Sequence, residues 1–164
     1  MTAPTWKWQP ASGLHVKDIV LIAQDHFQFE IDQIFTPCAT TYSHNITLAV
    51  VNQFYGPNHV LLWAAITPEQ RVLAYTWAIR GQRAEWSDNE MIVIRMAHVA
   101  MGLSARVRVL MIRQMFDIWE DFARRCGVAI ICSTTMRHSQ SVFLRMHAQA
   151  GYDVRGSYAY KRLK

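Results

Sequence analysis

The chain has 164 residues, with 17 Lys and Arg against 12 Asp and Glu, and 51% of its residues are hydrophobic. At that length roughly 70% of the unfolded surface can be buried, so a full core forms without staples. The composition excludes a disordered chain, a collagen-like repeat and a disulfide-dense mini-domain. The excess charge lies in the second half: residues 1–83 hold five basic and five acidic residues, and residues 84–164 hold twelve and seven. Arginine makes up most of it, and its fork suits phosphate and carboxylate groups. The pattern reads either as a solvated basic face or as a surface for an anionic ligand or partner.

Cys38, Cys126 and Cys132 are an odd, widely spaced set without metal-ligand spacing. They read as reduced, mostly buried thiols of a cytosolic chain. Met1 to Pro10 has one lysine, two tryptophans and no apolar stretch, so it is not a signal peptide. The apolar run from His59 to Ile66 is far short of a membrane span. The expectation is a soluble, cytoplasmic protein that is not secreted.

Residues 1–14 read as an extended arm or a first strand. From Val16, apolar residues recur at Val20, Ala23, Phe27, Ile31 and Ile34, a helical spacing that Pro37 ends. Ser43 is a candidate cap for a second helix through Ile46, Leu48, Val51 and Phe54, stopped by Gly56-Pro57. Then the period changes. His59–Ile66, Arg71–Arg80 and Met91–Ala100 read as three strands with short connectors, an antiparallel meander. Ser104 caps the strongest helix, which carries a stripe at Val107, Met111, Met115, Ile118 and Phe122 and the pairs Glu120–Arg124 and Asp121–Arg125. Gly127 stops it. Val128–Cys132 is a short buried strand. A helix capped by Ser139 or Ser141 follows and stops at Gly151, and Tyr152–Leu163 reads as a last strand. A strand, a crossover helix and another strand imply a parallel pair inside an otherwise antiparallel sheet. A crevice opens where such a pair is inserted, at the N-terminus of the crossover helix.

That order resembles the GNAT superfamily of acetyl-CoA-dependent N-acetyltransferases, over roughly Val16 to Leu163. The local cues are Phe122-Ala-Arg-Arg-Cys-Gly127 before a short apolar strand, and Phe143 to Gly151-Tyr152 before an ending of Tyr160-Lys-Arg-Leu163. The resemblance implies an α/β fold: a central mixed sheet with one parallel pair and about four flanking helices, formed by residues 15–164 behind an arm of residues 1–14. It implies acetyl-CoA as the cofactor if the chain is active. In the family the pyrophosphate sits on backbone N–H groups at the start of the crossover helix, in a Q/R-x-x-G-x-G/A sequence. Glycines let the backbone approach the phosphates, and the helix dipole favours the negative charge. Counted back from Gly127, those glycine positions fall near Leu110 and Ile112, and both are bulky.

The nearest glycine is Gly102, and Gly102-Leu-Ser-Ala-Arg-Val-Arg108 extends the helix at its start. In this the chain resembles the small acetyltransferase-like virion proteins of short-tailed bacteriophages, where a Leu-Ser pair opens a basic crossover helix. The matching residues are Leu103-Ser104, then Arg106, Arg108 and Arg113, with Phe143-Leu144-Arg145 downstream. The resemblance implies a fold kept as a structural part of a virion, without catalysis, with other virion proteins as partners.

Gly102, Ser104, Arg106, Arg108 and Arg113 are therefore the candidate cofactor or anion residues. Arginines in the first turns oppose the helix dipole, at a few tenths of a kcal/mol each, unless an anion binds there. His147 falls where the family often carries a tyrosine that protonates the leaving thiolate, if counted from Gly151; counted from Phe143 the position is Leu144. For a general base, Glu90 and His98 are the candidates. His98 alternates with Ala97 and Val99, so it faces either crevice or core. No zinc, calcium or Walker motif appears, and no metal is expected. Trp6 and Trp8 lie on the N-terminal arm, and the expectation is burial against a partner or a second copy. Aromatic rings beside basic residues can also stack on nucleic acid, but Lys7 is the only charge near them. The function expected is a non-catalytic GNAT-fold component of an assembly. The alternative is an active N-acetyltransferase with a divergent pyrophosphate loop.

Overall fold

The computed structural model describes residues 5–30, 35–135 and 140–156, with the side chains of residues 29 and 30 excepted. Five strands form one sheet in the order β1 (Lys7–Pro10), β2 (Val60–Ile66), β3 (Val72–Arg83), β4 (Glu90–Val99) and β5 (Ile130–Ser133). The first three junctions are antiparallel and β4–β5 is parallel. The meander and the inserted parallel pair are thus as the sequence predicts. Helices α1 (Val16–Glu30) and α2 (Ala39–Tyr55) cover one face of the sheet, and α3 (Ala105–Cys126) and α4 (Ser141–Gln149) cover the other. No helix among the described residues is long and apolar enough to cross a membrane.

Strand alternation divides the core in two. On β2, Leu61 and Ala65 join the α3–α4 side, while Leu62, Ala64 and Ile66 join the α1–α2 side. The predicted stripe of α3 holds, with Met111, Met115 and Phe122 buried. It is wider than the spacing suggests: Ile112, Phe116 and Trp119 are buried too. Trp119 is fully buried and donates its indole N–H to Thr76 Oγ1 at 2.7 Å, which offsets the cost of sinking both polar groups. Gly127 ends α3 at φ 66°, with its N–H on Arg124 O and that of Val128 on Ala123 O. This is the left-handed cap that glycine adopts without a Cβ clash.

Several expectations change. Helix α2 begins at Ala39 behind Cys38, so Ser43 lies inside it, and its carbonyl accepts from Thr47 Oγ1. Cys38 is exposed, Cys132 half-buried and Cys126 buried. Arg124, not Arg125, takes both nearby carboxylates, those of Glu120 and Asp121. Gln140 precedes α4 without a side-chain cap; Ser141 is its first residue, and Ser139 lies outside the described residues. Of the last predicted strand, residues 152–156 are not strand, and 157–163 lie outside the described residues. Ile31 and Ile34, the end of the first helical pattern, also lie outside them.

The arm is part of the sheet. Trp8 pairs with Ala65 and Pro10 with Trp63. Trp6 and Trp8 both donate their indole N–H to Oε1 of Gln114, at 2.9 and 2.8 Å, and their rings pack on the α3 side of the core. Residues two apart on a strand share a face, so one glutamine on α3 serves both. The two rings are held by their own domain rather than kept for a partner.

At the other end of the same layer, His147 is 4% exposed within the rings of Phe116, Phe143 and Tyr152, at centroid distances of 4.8, 4.4 and 5.0 Å. Its Nδ1–H donates to Phe143 O at 2.9 Å, which leaves Nε2 to accept from Ser133 Oγ, also at 2.9 Å. This ties α4 to the end of β5.

Two tests follow from these contacts. Gln114→Leu strands two indole N–H groups and should destabilise the fold by about 1–3 kcal/mol in denaturant titration; deletion of residues 1–10 should lower the melting temperature by several degrees. Burial holds the His147 pKa below the ordinary histidine value. The unfolded chain therefore takes up a proton first as pH falls, so this contribution is complete above the ordinary value of about 6.5 and is lost below it. His147→Phe should flatten that acid-side slope of stability against pH.

Candidate functional site

The site is built by one extra residue in β4. Trp77 on β3 pairs with Met96, and its neighbour Ala78 pairs with Ile94, so Arg95 is a bulge. The bulge coincides with the end of the parallel pair: β5 follows β4 only from Met91↔Ile130 to Ile94↔Ser133. From Arg95 to Val99, β4 continues without a β5 partner, since β5 ends at Ser133. Ala100 N–H donates to Leu73 O. In an antiparallel ladder this turns the N–H and C=O of Val99 away from β3, towards the open side. The Val99 carbonyl accepts from His26 Nε2 of α1 at 2.8 Å. The chain leaves β4 at Val99 and enters α3 six residues later, at Ala105.

At that start Ser104 is the N-cap, as predicted, and its Oγ accepts from Val107 N at 3.4 Å. Arg108 N bonds to Ser104 O. The N–H groups of Ala105 and Arg106 have no acceptor within the helix. Arg106 and Arg113 are exposed, lie seven residues apart on one face, and line a shallow depression with Ala105, Val109 and Leu110. Arg108 points elsewhere: it is half-buried, and its Nε is buried without a hydrogen bond. The structure therefore groups two of the three arginines. Gly102 sits in the turn before the helix, and a Cβ there would meet nothing within 4 Å. It is not a close-approach glycine.

A coenzyme A pyrophosphate needs backbone N–H groups that it can approach. Leu110 and Ile112 lie in the second turn of α3, where their N–H groups belong to the helix ladder, and Ile112 is buried. No bare backbone stands at either position. The residues present do not fit a glycine-loop cradle; what remains is a helix start with two exposed arginines.

The three acid–base candidates are scattered. His147 is sealed in the aromatic cage with both nitrogens bonded. His98 is 4% exposed and faces the α1–α2 side, away from α3. Its Nδ1 bonds Tyr75 OH at 2.7 Å, Tyr75 OH bonds Tyr42 OH at 2.7 Å, and its ring stacks on His26 at 4.3 Å. Burial raises the Tyr42 hydroxyl pKa well above the ordinary tyrosine value. Glu90 forms a two-pronged ion pair with Arg80, at 2.9 and 3.0 Å, which lowers its pKa. It opens β4 nine residues before Val99, about 30 Å away at 3.3 Å per residue. The buried chain Tyr42–Tyr75–His98–His26 spans α1, α2, β3 and β4, and only His98 of it carries a signal in the sequence. Cross-strand register brings the rest together. Among the described residues, no three His, Cys, Asp or Glu side chains are grouped to hold a metal ion.

No protein-family model matches the chain, and no curated protein matches it. Solved structures do match over nearly its full length. The aminoglycoside 6'-N-acetyltransferase AAC(6')-IG from Acinetobacter haemolyticus is 14% identical, covers 96% of this chain and 98% of its own, and has a TM-score of 0.65. AAC(6')-Iy in complex with the bisubstrate analog CoA-S-monomethyl-acetylneamine is 12% identical, with 98% and 99% covered and a TM-score of 0.66. A predicted acetyltransferase with acetyl-CoA from Clostridium acetobutylicum is 11% identical, with 96% of each chain covered and a TM-score of 0.67. At these identities the likeness is one of fold. With its mixed five-stranded sheet, its single parallel pair and its four described helices, the chain has the GNAT acetyltransferase fold.

Proposed function

We propose that this chain keeps the GNAT fold as a scaffold without acyl transfer, as a structural or assembly component of a short-tailed bacteriophage virion. The observation that carries the loss of chemistry is that α3 contains no glycine: every residue from Ala105 to Ile112 carries a Cβ, including Leu110 and Ile112, near which a count back from Gly127 puts the family's glycines. Each lost hydrogen bond to a charged group costs about 1.5–3 kcal/mol, so two cost on the order of a hundredfold or more in affinity. The sealed His147 and His98 and the distant Glu90 support the same reading. A general acid or base has to reach the proton it moves. The virion role rests on the Leu103-Ser104 opening of a basic helix, and its partners are other virion proteins.

One observation favours a second reading, an active acetyl-CoA-dependent N-acetyltransferase with a divergent pyrophosphate site. Strand β4 is without a β5 partner beyond Ile94, Arg106 and Arg113 line a shallow depression along α3, and solved neighbours of the same fold carry acetyl-CoA or a bisubstrate analog. Calorimetry separates the two. Titration with acetyl-CoA should give no saturable heat in the micromolar range; a 1:1 micromolar isotherm would overturn the scaffold reading.

The arginine face can be tested with a polyanion. Replacing Arg106 and Arg113 by glutamine should lower the salt concentration at which the protein leaves immobilised heparin, because fewer counterions are exchanged. The melting temperature should hold or rise slightly, since Arg106 in the first turn opposes the helix dipole and Arg113 is exposed. Loss of folding would instead make these side chains structural ion-pair partners.

A further inference from the structure

Helix α4 is lightly held. Its nine residues bury only Phe143, Met146 and His147, and Gln140 gives it no side-chain cap. A helix this short is not stable by itself in water, so it stands on those three side chains. One of the three is ionisable. His147 is sealed among aromatic rings, and its Nε2 contact with Ser133 Oγ ties the helix to β5.

The groups that face the ring leave no place for a charge. Among the described residues these are Phe116 and Trp119 from α3, Ser133 from β5, Phe143 from α4 itself and Tyr152 just after it. Of these Tyr152 titrates, and burial, with the charge of Glu120, pushes its hydroxyl up to about 12, so it is neutral wherever a histidine titrates. Glu120 is itself paired with Arg124. The imidazole is bonded to a carbonyl and a hydroxyl rather than to a carboxylate. Ser133 can turn its hydroxyl to accept from a protonated Nε2, so that bond does not exclude the proton. The rings do, because a buried charge without a counter-charge is costly.

We infer that His147 is an acid-sensitive latch: protonation of its imidazole drives α4 out of the aromatic cage as a local opening, while the sheet and α3 stay folded. Leaving the cage returns the imidazolium to water, which the packed state denies it. The opening is local because α4 follows β5 in the chain, and its departure leaves intact the contacts of Trp119 with Thr76 and of Gln114 with Trp6 and Trp8 that tie α3 to the sheet. It uncovers Phe116, Phe143 and Met146, all buried in the closed form. The packed state favours the neutral ring, and in the open state the ring has its ordinary value of about 6.5. Closure is therefore complete above that pH. Below it the opening equilibrium rises by up to about tenfold per pH unit, the limit for one proton.

Hydrogen exchange of the full chain tests this, read by mass spectrometry on its peptides and corrected for the intrinsic pH dependence of exchange. As pH falls from about 7.5 to about 5, protection across Ser141–Gln149 should drop by up to about tenfold per unit below about 6.5, while protection across residues 111–122 of α3 stays level. In His147→Phe, which fills the cage without a titrating nitrogen, protection of α4 should no longer change with pH. Should that variant not fold, His147→Gln keeps a donor and an acceptor and carries the same expectation. Protection of α4 that is constant with pH in the wild type, or protection of α3 that falls in step with it, would overturn the inference. So would a pH dependence that persists at α4 once His147 is replaced.

Discussion

The arrangement of β4 between the two halves of the core depends on a single inserted residue, Arg95. Side chains on a strand alternate with a strict period of two, so one bulged residue exchanges the faces of everything beyond it. Before Arg95, Ile92 and Ile94 face the α3–α4 core; after it, Ala97 and Val99 do. Without the bulge Met96 and His98 would take that face. The bulge directly follows Ile94, the last residue of β4 that pairs with β5. His98 is carried to the α1–α2 side, where Tyr75 and the ring of His26 receive it.

Helix α3 is the second element on which the architecture rests, and its two ends do different work. Its middle is a packing surface, with Trp119 bonded to Thr76 of β3 and Gln114 holding Trp6 and Trp8 of β1. These contacts tie the first strand, the middle of the sheet and the crossover helix into one layer. Its start is open to solvent and basic. A helix start favours negative charge, so Arg106 in the first turn opposes the dipole, and further along the same face stands the exposed Arg113. No glycine occurs in α3, so each N–H of its first turns stands beside a Cβ.

The surface is thereby divided. The basic excess belongs to the half of the chain that contains α3, β5 and α4, while α2, on the far side of the sheet, is free of acidic and basic side chains apart from His44. The proposed role would use the basic side for its contacts. Sealed histidines fit the same picture. His147 fixes α4 to β5 and His98 fixes β3 to β4, and in both cases the ring nitrogens are engaged in holding elements together.

Element order was legible in the sequence because it depends on local periodicity. The stripe of α3, the Ser104 cap, the Gly127 stop and the three consecutive strands all follow from residues within a few positions of each other. The crossover helix between β4 and β5 made the parallel pair a matter of chain connectivity. The caps of α2 and α4 were not legible, since burial of an apolar stripe outweighs a missing cap bond and starts a helix behind Cys38 or Gln140. Trp6 and Trp8 looked unpartnered because their partner, Gln114, is more than a hundred residues away in sequence. The face taken by His98 was undecidable from alternation, which gives two sets of residues but not which set points inward. Only the tertiary structure decided it, because the bulge at Arg95 arises from the register of β4 against β3, which pairs Trp77 with Met96 and Ala78 with Ile94.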